Sequence, residues 1–267
     1  MRLGFIGAGR MGRPMVTRLI AAGHEVRALG RSADKRAALA AEGAQPVGEI
    51  AAAGDGADAV VVCVFNDDQV REVCLGSELF DRMPAGSVVV VHTTGSPSVA
   101  KEIAAHGAER RIEVIDSPVS GGPHDIAAGR VSLFVGGADD AVARMRPVLS
   151  SYGDPVLHVG PLGAGQQVKL INNTLFAANI GLLAEAVRVA GRLGVAEHVL
   201  LDALTHGSGS SRALGGVASR RSVAAFTVAV EEFLRKDIAV ARKVAAELGA
   251  NLGAIDGAIN SLPRQRP

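Results

Sequence analysis

Up to Val159 the chain alternates short, unbroken apolar runs with segments of helical period. Residues 3–6, 25–29, 59–65, 87–91, 111–115, 131–135 and 155–159 read as strands. Helical periodicity fills the gaps: it begins at Arg10, with Met11, Met15, Val16, Leu19 and Ile20 on one face, and recurs over 33–42, 48–53, from about Gln69, over 97–106 and over 139–149. The run 59–65 has no polar alternation, which marks a central strand of a parallel sheet covered on both faces. Strand–helix alternation of this kind predicts a doubly wound, mainly parallel α/β sheet. From Gly165 the pattern changes. Residues 166–193 keep a helical period with no strand signal, and further helices are expected over 196–204, 213–219 and 227–248. The expected organisation is an α/β domain over 1–162, then an all-helical domain over 163–267 that opens with a long interdomain helix. The tail, 263–267, is expected to fray.

Composition narrows the function classes. A chain of 267 residues that is 48% hydrophobic can bury two substantial cores. The net charge of +1 gives no basic field for nucleic acid, and 3% aromatic residues give no stacking platform for bases. No apolar run approaches the ~18 residues of a membrane span, and the N-terminus reads as a strand, not a signal peptide. Cys63, in the strand 59–65, and Cys74 have no metal-ligand spacing. No metal is expected, and two isolated thiols suit a reducing cytoplasm.

The candidate chemistry begins at the end of the first strand. Gly7-Ala8-Gly9-Arg10-Met11-Gly12 is a G-x-G-x-x-G set between a strand and a helix, the context in which this motif is informative. Gly7 permits a tight turn, Gly9 lets a pyrophosphate approach the backbone, and Gly12 lets the helix lie close to the strand. The phosphates then meet the N–H groups and positive dipole end of the helix. This predicts a Rossmann dinucleotide site. At the end of the second strand, Gly30-Arg31-Ser32 stands where an acid would grip the ribose of a cofactor without a 2′-phosphate. Arg31 suits a phosphate instead, so NADP(H) is the expected cofactor, with NAD(H) possible. Phe65 and Asn66 lie at the carboxyl end of a central strand, where such sheets bind ligands, and Asn66-Asp67-Asp68 can cap the next helix.

Two further stretches carry polar groups suited to a substrate. In Asp116-Ser117-Pro118-Val119-Ser120-Gly121-Gly122-Pro123, the Ser120 hydroxyl and the N–H groups of Gly121 and Gly122 can form an anion nest for a carboxylate, with His124 beside it. Lys169 falls in the first turns of the long helix, just after Gly163 and Gly165. A single helical lysine is ordinarily a solvated surface residue. Here the flanking glycines, and Asn172 with Asn173 on an otherwise apolar helix, favour a lysine turned inward. Burial and the dipole disfavour its ammonium form, which would let it take a hydroxyl proton. Asn173, at i+4, shares its face. The segment 207–211, Gly-Ser-Gly-Ser-Ser, is either a substrate-contacting turn or a helix break.

These stretches together resemble one family. Gly4-Phe5-Ile6-Gly7-Ala8-Gly9-Arg10-Met11-Gly12-Arg13-Pro14-Met15, the loop Asp116–Gly122, Gly163-x-Gly165-x-x-x-Lys169-x-x-Asn172-Asn173 and the pair Lys236-Asp237 look like the ordered motifs of β-hydroxyacid dehydrogenases, the 3-hydroxyisobutyrate dehydrogenase family. The resemblance spans nearly the whole chain. It implies hydride transfer between a nicotinamide and a small β-hydroxyacid, with Lys169 as acid/base and Asn173 holding the substrate. It implies a small carboxylate substrate bound by Ser120, Gly121 and Gly122, and a cofactor lined by Phe65, Asn66, Thr94 and Lys236. Arg31 and Ser32 resemble the family's NADP-type turn, and a homodimer or homotetramer is implied. The chain departs from the pattern at Pro123-His124-Asp125-Ile126, where the family has small residues, and at Asn66, where proline is common. It also ends at Pro267, short of the family's final helices, so its oligomer contacts are expected to differ. Three rivals compete. An imine reductase of the same fold usually carries another residue at the lysine position. A 6-phosphogluconate dehydrogenase would show histidine at Asn172. A non-catalytic nucleotide-binding module should have lost Lys169 or the serine–glycine loop, and this chain keeps both.

Overall fold

A computed structural model describes residues 1–263. The chain divides into two compact units, Met1–Lys169 and the part from Leu170 onward. The first unit contains β1 (Arg2–Ile6), α1 (Gly12–Ala21), β2 (Glu25–Leu29), α2 (Ala33–Ala41), β3 (Gln45–Val47), α3 (Ile50–Gly54), β4 (Ala59–Val62), α4 (Asp67–Cys74), α5 (Leu79–Arg82), β5 (Val88–Val91), α6 (Pro97–Ala108), β6 (Glu113–Asp116), β7 (Val119–Ser120), α7 (Pro123–Ala127), β8 (Val131–Gly136), α8 (Asp139–Leu149) and β9 (Gly153–Gly160). The 29-residue helix α9 (Ala164–Arg192) contains the division. Then follow α10 (Glu197–Thr205), α11 (Arg212–Ser219), α12 (Val223–Glu247) and α13 (Ala254–Ile259). Of the tail 263–267, everything past Pro263 lies outside the described residues.

One sheet organises the first unit, in the order β3-β2-β1-β4-β5-β6-β8-β7, with β9 beside β8. The six strands from β3 to β6 are parallel, as the alternation predicted. Strand β8 turns antiparallel to β6, and β9 pairs with it in parallel. The reason is the connection: β6 reaches β8 through a two-residue strand and a five-residue helix, too little to carry the chain across the sheet face as a parallel crossover requires. Successive residues of the central strands serve opposite cores. Phe5, Val61, Val88 and Val90 face a cluster with Met15, Leu19 and Met145. Ile6, Val60, Val62, Val89 and Val91 face one with Val70, Val73, Phe80 and Ile103.

Several expected boundaries shift. The strand expected over 59–65 ends at Val62, so Cys63 lies beyond it and is half-buried, not a strand-core residue. Helix α1 starts at Gly12, two residues late, because Arg10 and Met11 belong to the glycine turn. Strand β3 carries Pro46 and was masked by it; it lies at the sheet's edge, where proline costs no ladder bond. Short helices α5, α7 and α13 had no periodic signal long enough to see.

The second unit is all helical, with a core of Ala177, Ile180, Leu183, Leu201, Leu214, Val217, Leu234, Ile238 and Ile259. Helix α9 is long enough, with a window of mean hydropathy 1.3, to cross a membrane by length and composition. Asn172, Asn173 and Asn179 interrupt it, so it contains no unbroken apolar run of that length. Of that window, 44% is buried within the fold.

Candidate active site

The three motif glycines are glycine for three different reasons. Gly7 has φ +101°, and a Cβ there would collide with the Cys63 carbonyl. A Cβ at Gly12 would collide with the Gly7 carbonyl and reach within 2.7 Å of the Phe5 ring, so α1 can press onto β1 only without a side chain. A Cβ at Gly9 would meet nothing within 4 Å. That open space adjoins a cavity of about 330 Å³ lined by Ala8, Gly9, Arg10, Arg13 and Lys35. No side chain caps the start of α1 after Met11. The turn therefore leaves room, cations and a helix start for an anion.

At the end of β2, the Ser32 hydroxyl accepts the Lys35 N–H at 3.3 Å and caps α2. Exposed Arg31 lines a cavity of about 420 Å³ that also contains Glu49, Glu72 and Glu78. The sequence shows no acid directly after β2, but the fold brings these three from later segments.

The carboxyl ends of β4 and β5 are tied together. Asn66 Oδ1 accepts the Gln69 N–H at 3.0 Å, so Asn66 caps α4, which starts at Asp67 and not near Gln69. Phe65 donates its N–H to Gln69 Oε1 at 2.8 Å and leaves its ring exposed. Thr93 exchanges hydrogen bonds with the backbone of Val64. Asp67 accepts the Ser96 N–H with both oxygens, at 3.2 and 3.0 Å. Half-buried Thr94 lies within this fixed loop.

Beyond β6, Ser120 pairs with Ser132 across β7 and β8. Gly121 has φ +141°. Gly122 donates its N–H to Asp125 Oδ2 at 2.7 Å, as the first residue of a cap on α7. The nest expected from Ser120, Gly121 and Gly122 thus has one donor already engaged, because a helix start was not visible in Pro123-His124-Asp125. The His124 side chain is 82% exposed, with Nε2 3.4 Å from Asp125 Oδ1.

Lys169 is buried in the second turn of α9. The start of that helix is held by two side chains that sequence reasoning missed. Asp116 is fully buried; its Oδ1 accepts the Gly163 N–H at 2.6 Å and its Oδ2 the Gln166 N–H at 2.7 Å. Burial pushes the Asp116 carboxyl up to about 6, against the opposing pull of these bonds. The Gln166 side chain accepts from Gly95 N–H at 3.0 Å and donates to the Thr93 carbonyl at 2.8 Å. The available signals were the acid that ends β6 and, 47 residues later, the glycine pair Gly163-x-Gly165.

In the second unit, Asn173 is buried and its amide is fixed on both sides. Nδ2 donates to Asp237 Oδ2 at 2.5 Å, and Oδ1 accepts from Asn172 Nδ2 at 3.0 Å. Lys236 Nζ lies 2.8 Å from Asp237 Oδ1. Asp237, buried on α12, is therefore the hub of this cluster. The resemblance pairs Asp237 with Lys236 on the cofactor side; the bond to Asn173 is what the sequence does not show.

The chain is similar to known proteins over both halves. The domain family described as the NAD binding domain of 6-phosphogluconate dehydrogenase matches residues 2–160. The one described as NAD-binding of NADP-dependent 3-hydroxyisobutyrate dehydrogenase matches residues 163–259. The chain is 32% identical over 213 residues to a 3-hydroxyisobutyrate dehydrogenase of Pseudomonas aeruginosa, covering 79% of this chain and 72% of that protein. It is 33% identical over 215 residues to a 2-(hydroxymethyl)glutarate dehydrogenase of Eubacterium barkeri, covering 80% and 71%. The solved structure of a Mycobacterium tuberculosis 3-hydroxyisobutyrate dehydrogenase with L-serine is similar at a TM-score of 0.85 and 26% identity, over 97% of this chain and 91% of that one. With both halves matched and the motifs in place, the chain belongs to the 3-hydroxyisobutyrate dehydrogenase-like family of NAD(P)-dependent β-hydroxyacid dehydrogenases.

Proposed function

We propose that the protein interconverts a small β-hydroxyacid and its semialdehyde or ketoacid, with NADP(H) preferred over NAD(H), and that Lys169 moves the proton. The observation that carries this reading is a lysine buried two turns into α9, four residues before a buried and fully oriented Asn173. The open position at Gly9, beside packed Gly7 and Gly12, fits a bound pyrophosphate. When bound, the nicotinamide supplies the hydride acceptor or donor. In the oxidative direction, Lys169 Nζ takes the hydroxyl proton as the carbonyl forms; in the reductive direction it returns that proton to the carbonyl oxygen. Asn173 holds the substrate beside it. The Ser120 hydroxyl and Gly121 bind the carboxylate, with Gly122 shaping the turn. Lys236 and Asp237 form an ion pair beside Asn173 and keep that amide in one orientation. Phe65, Asn66 and Thr94 line the cofactor on loops that their neighbours hold still. The two free thiols, Cys63 and Cys74, suit action in the cytoplasm. Self-association as a homodimer or homotetramer belongs to the same reading and is checked by sedimentation.

The test is Lys169→Ala, which keeps the helix because alanine is a good helix former. It is expected to bind cofactor with wild-type affinity and lose about 10²–10⁴ in kcat against a panel of β-hydroxyacids, the usual reach of a placed acid/base. Near-wild-type turnover with intact binding removes Lys169 from the mechanism. Cyclic imines run in the same panel decide the imine reductase rival, which the lysine opposes.

A further inference from the structure

We propose that Asp116 is a positioning residue for the reaction: its carboxylate sets the start of α9, and through it the place of Lys169. The proposal rests on the reading of Lys169 as acid/base given above. Asp116 ends β6, and both its oxygens are used on the first turn of α9, on Gly163 N–H and Gln166 N–H. These belong to the donors a helix start leaves unpaired, and the anion sits at the positive end of the dipole. Gln166, three residues before Lys169, carries the linkage onward. Its amide bridges the Thr93 carbonyl and the Gly95 N–H, the two neighbours of Thr94. One buried knot thus joins the end of β6, which leads into Ser120, the loop that contains Thr94, and the turn that presents Lys169.

The surroundings are shaped for a carboxylate of this length. A Cβ at Gly165 would lie 2.7 Å from Asp116 Oδ2 and collide with the Phe134 carbonyl. A Cβ at Gly136 would collide with Asp116 Oδ1 and come within 2.8 Å of the Pro161 carbonyl. Glycine at 165 in the motif therefore makes room for the acid, an account that spacing alone did not give. A fully buried carboxylate is costly, as its upward shift to about 6 reflects. A neutral cap at the protein surface would hold a helix end more cheaply. What the buried carboxylate adds is a fixed tie between this helix and the sheet.

The experiment is a mutant cycle on the full chain. Asp116→Asn keeps the volume but turns an N–H₂ toward one of the two backbone donors. It is expected to lower kcat by about 10–100-fold, the scale of an ångström-sized misplacement, while cofactor affinity from NADPH fluorescence titration stays within about twofold. In the Lys169→Ala background the same change is expected to alter the residual kcat by less than about twofold, because a residue acting through Lys169 has nothing left to act on. A full additional loss in that background, or an unchanged kcat for Asp116→Asn alone, overturns the proposal. If Asp116→Asn does not fold, Gln166→Met is read by the same kcat criterion in both backgrounds, and additivity there overturns it equally. Wild-type turnover in Lys169→Ala alone would remove the parent reading instead, a separate and visible outcome.

Discussion

At the scale of single residues, two buried polar groups near the site allow sharp tests. Ser117 Oγ has no hydrogen-bond partner among the described residues, although the backbone on either side of it is bonded, the N–H to Val91 and the carbonyl to His92. A buried hydroxyl without a partner costs more than it returns. Ser117→Ala is therefore expected to raise the unfolding free energy by about 1 kcal/mol, read as a higher denaturant midpoint at unchanged slope. His92 is the opposite case, since both ring nitrogens are satisfied. Nδ1 lies 2.5 Å from the Ser117 carbonyl, which only accepts, so Nδ1 carries the hydrogen and Nε2 accepts from the Tyr152 hydroxyl at 2.8 Å. That ring is neutral, and burial holds its pKa down at about 4, partly offset by the bond to Ser117. The unfolded chain binds this proton below about 6.5 and the folded one only below about 4, so His92 favours folding above that window. As pH falls through it, up to about 3 kcal/mol of that preference is lost. Asp116, raised to about 6, has the opposite slope, because the folded state protonates first. The clean measurement is therefore the His92 ring resonance. It should stay in the neutral form at pH 5, and a midpoint near 6.5 in the folded protein would contradict the buried network.

At the scale of elements, helix α9 shows how packing overrides propensity. Gly181 and Gly191 are both helical glycines, and intrinsic preference favours alanine at each. A Cβ at Gly191 meets nothing within 4 Å, so Gly191→Ala is expected to stabilise by about 0.5 kcal/mol, trimmed by its place near the helix end. A Cβ at Gly181 would collide with the Ala258 carbonyl on α13, a backbone atom that cannot rotate away. Gly181→Ala is expected to destabilise by about 1–3 kcal/mol despite the better propensity. Thermal midpoints of the two variants, taken side by side, check the opposite signs. The sequence contained the existence and length of α9 because twenty-nine residues of period repeat outweigh local noise. It did not contain α13 or the reason for Gly181. Both depend on a partner far along the chain, as does the clasp of Asp116 on Gly163.

For the whole molecule, the doubly wound sheet and its helical companion were legible because hydrophobic period and glycine placement report local geometry. Helix α9 runs through the division: the compact units part after Lys169, while the matched family domains meet between residues 160 and 163. Cofactor choice lies at the same scale, because it is set by charges from distant segments. A net charge of +1 supplies no general attraction for a phosphate, so any preference must be local. Arg31 was legible beside β2, whereas Glu49, Glu72 and Glu78, which share its cavity, were not. On the proposed reading, the arginine would favour a 2′-phosphate through a charged hydrogen bond and the acids would oppose it, so a moderate preference for NADP(H) is expected. At a concentration of about 100 times Kd a cofactor stabilises the folded state by about 2.7 kcal/mol, so equal concentrations of the two nucleotides should shift the melting midpoint by different amounts. Wild-type protein should shift more with NADP(H). Arg31→Ala should weaken NADP(H) by about 1.5–3 kcal/mol and leave NAD(H) nearly unchanged. Glu72→Gln should move the balance the other way, toward tighter NADP(H). Equal shifts by both nucleotides in the wild type would mean that the acids cancel Arg31 and that the cavity beside β2 does not read the 2′-phosphate.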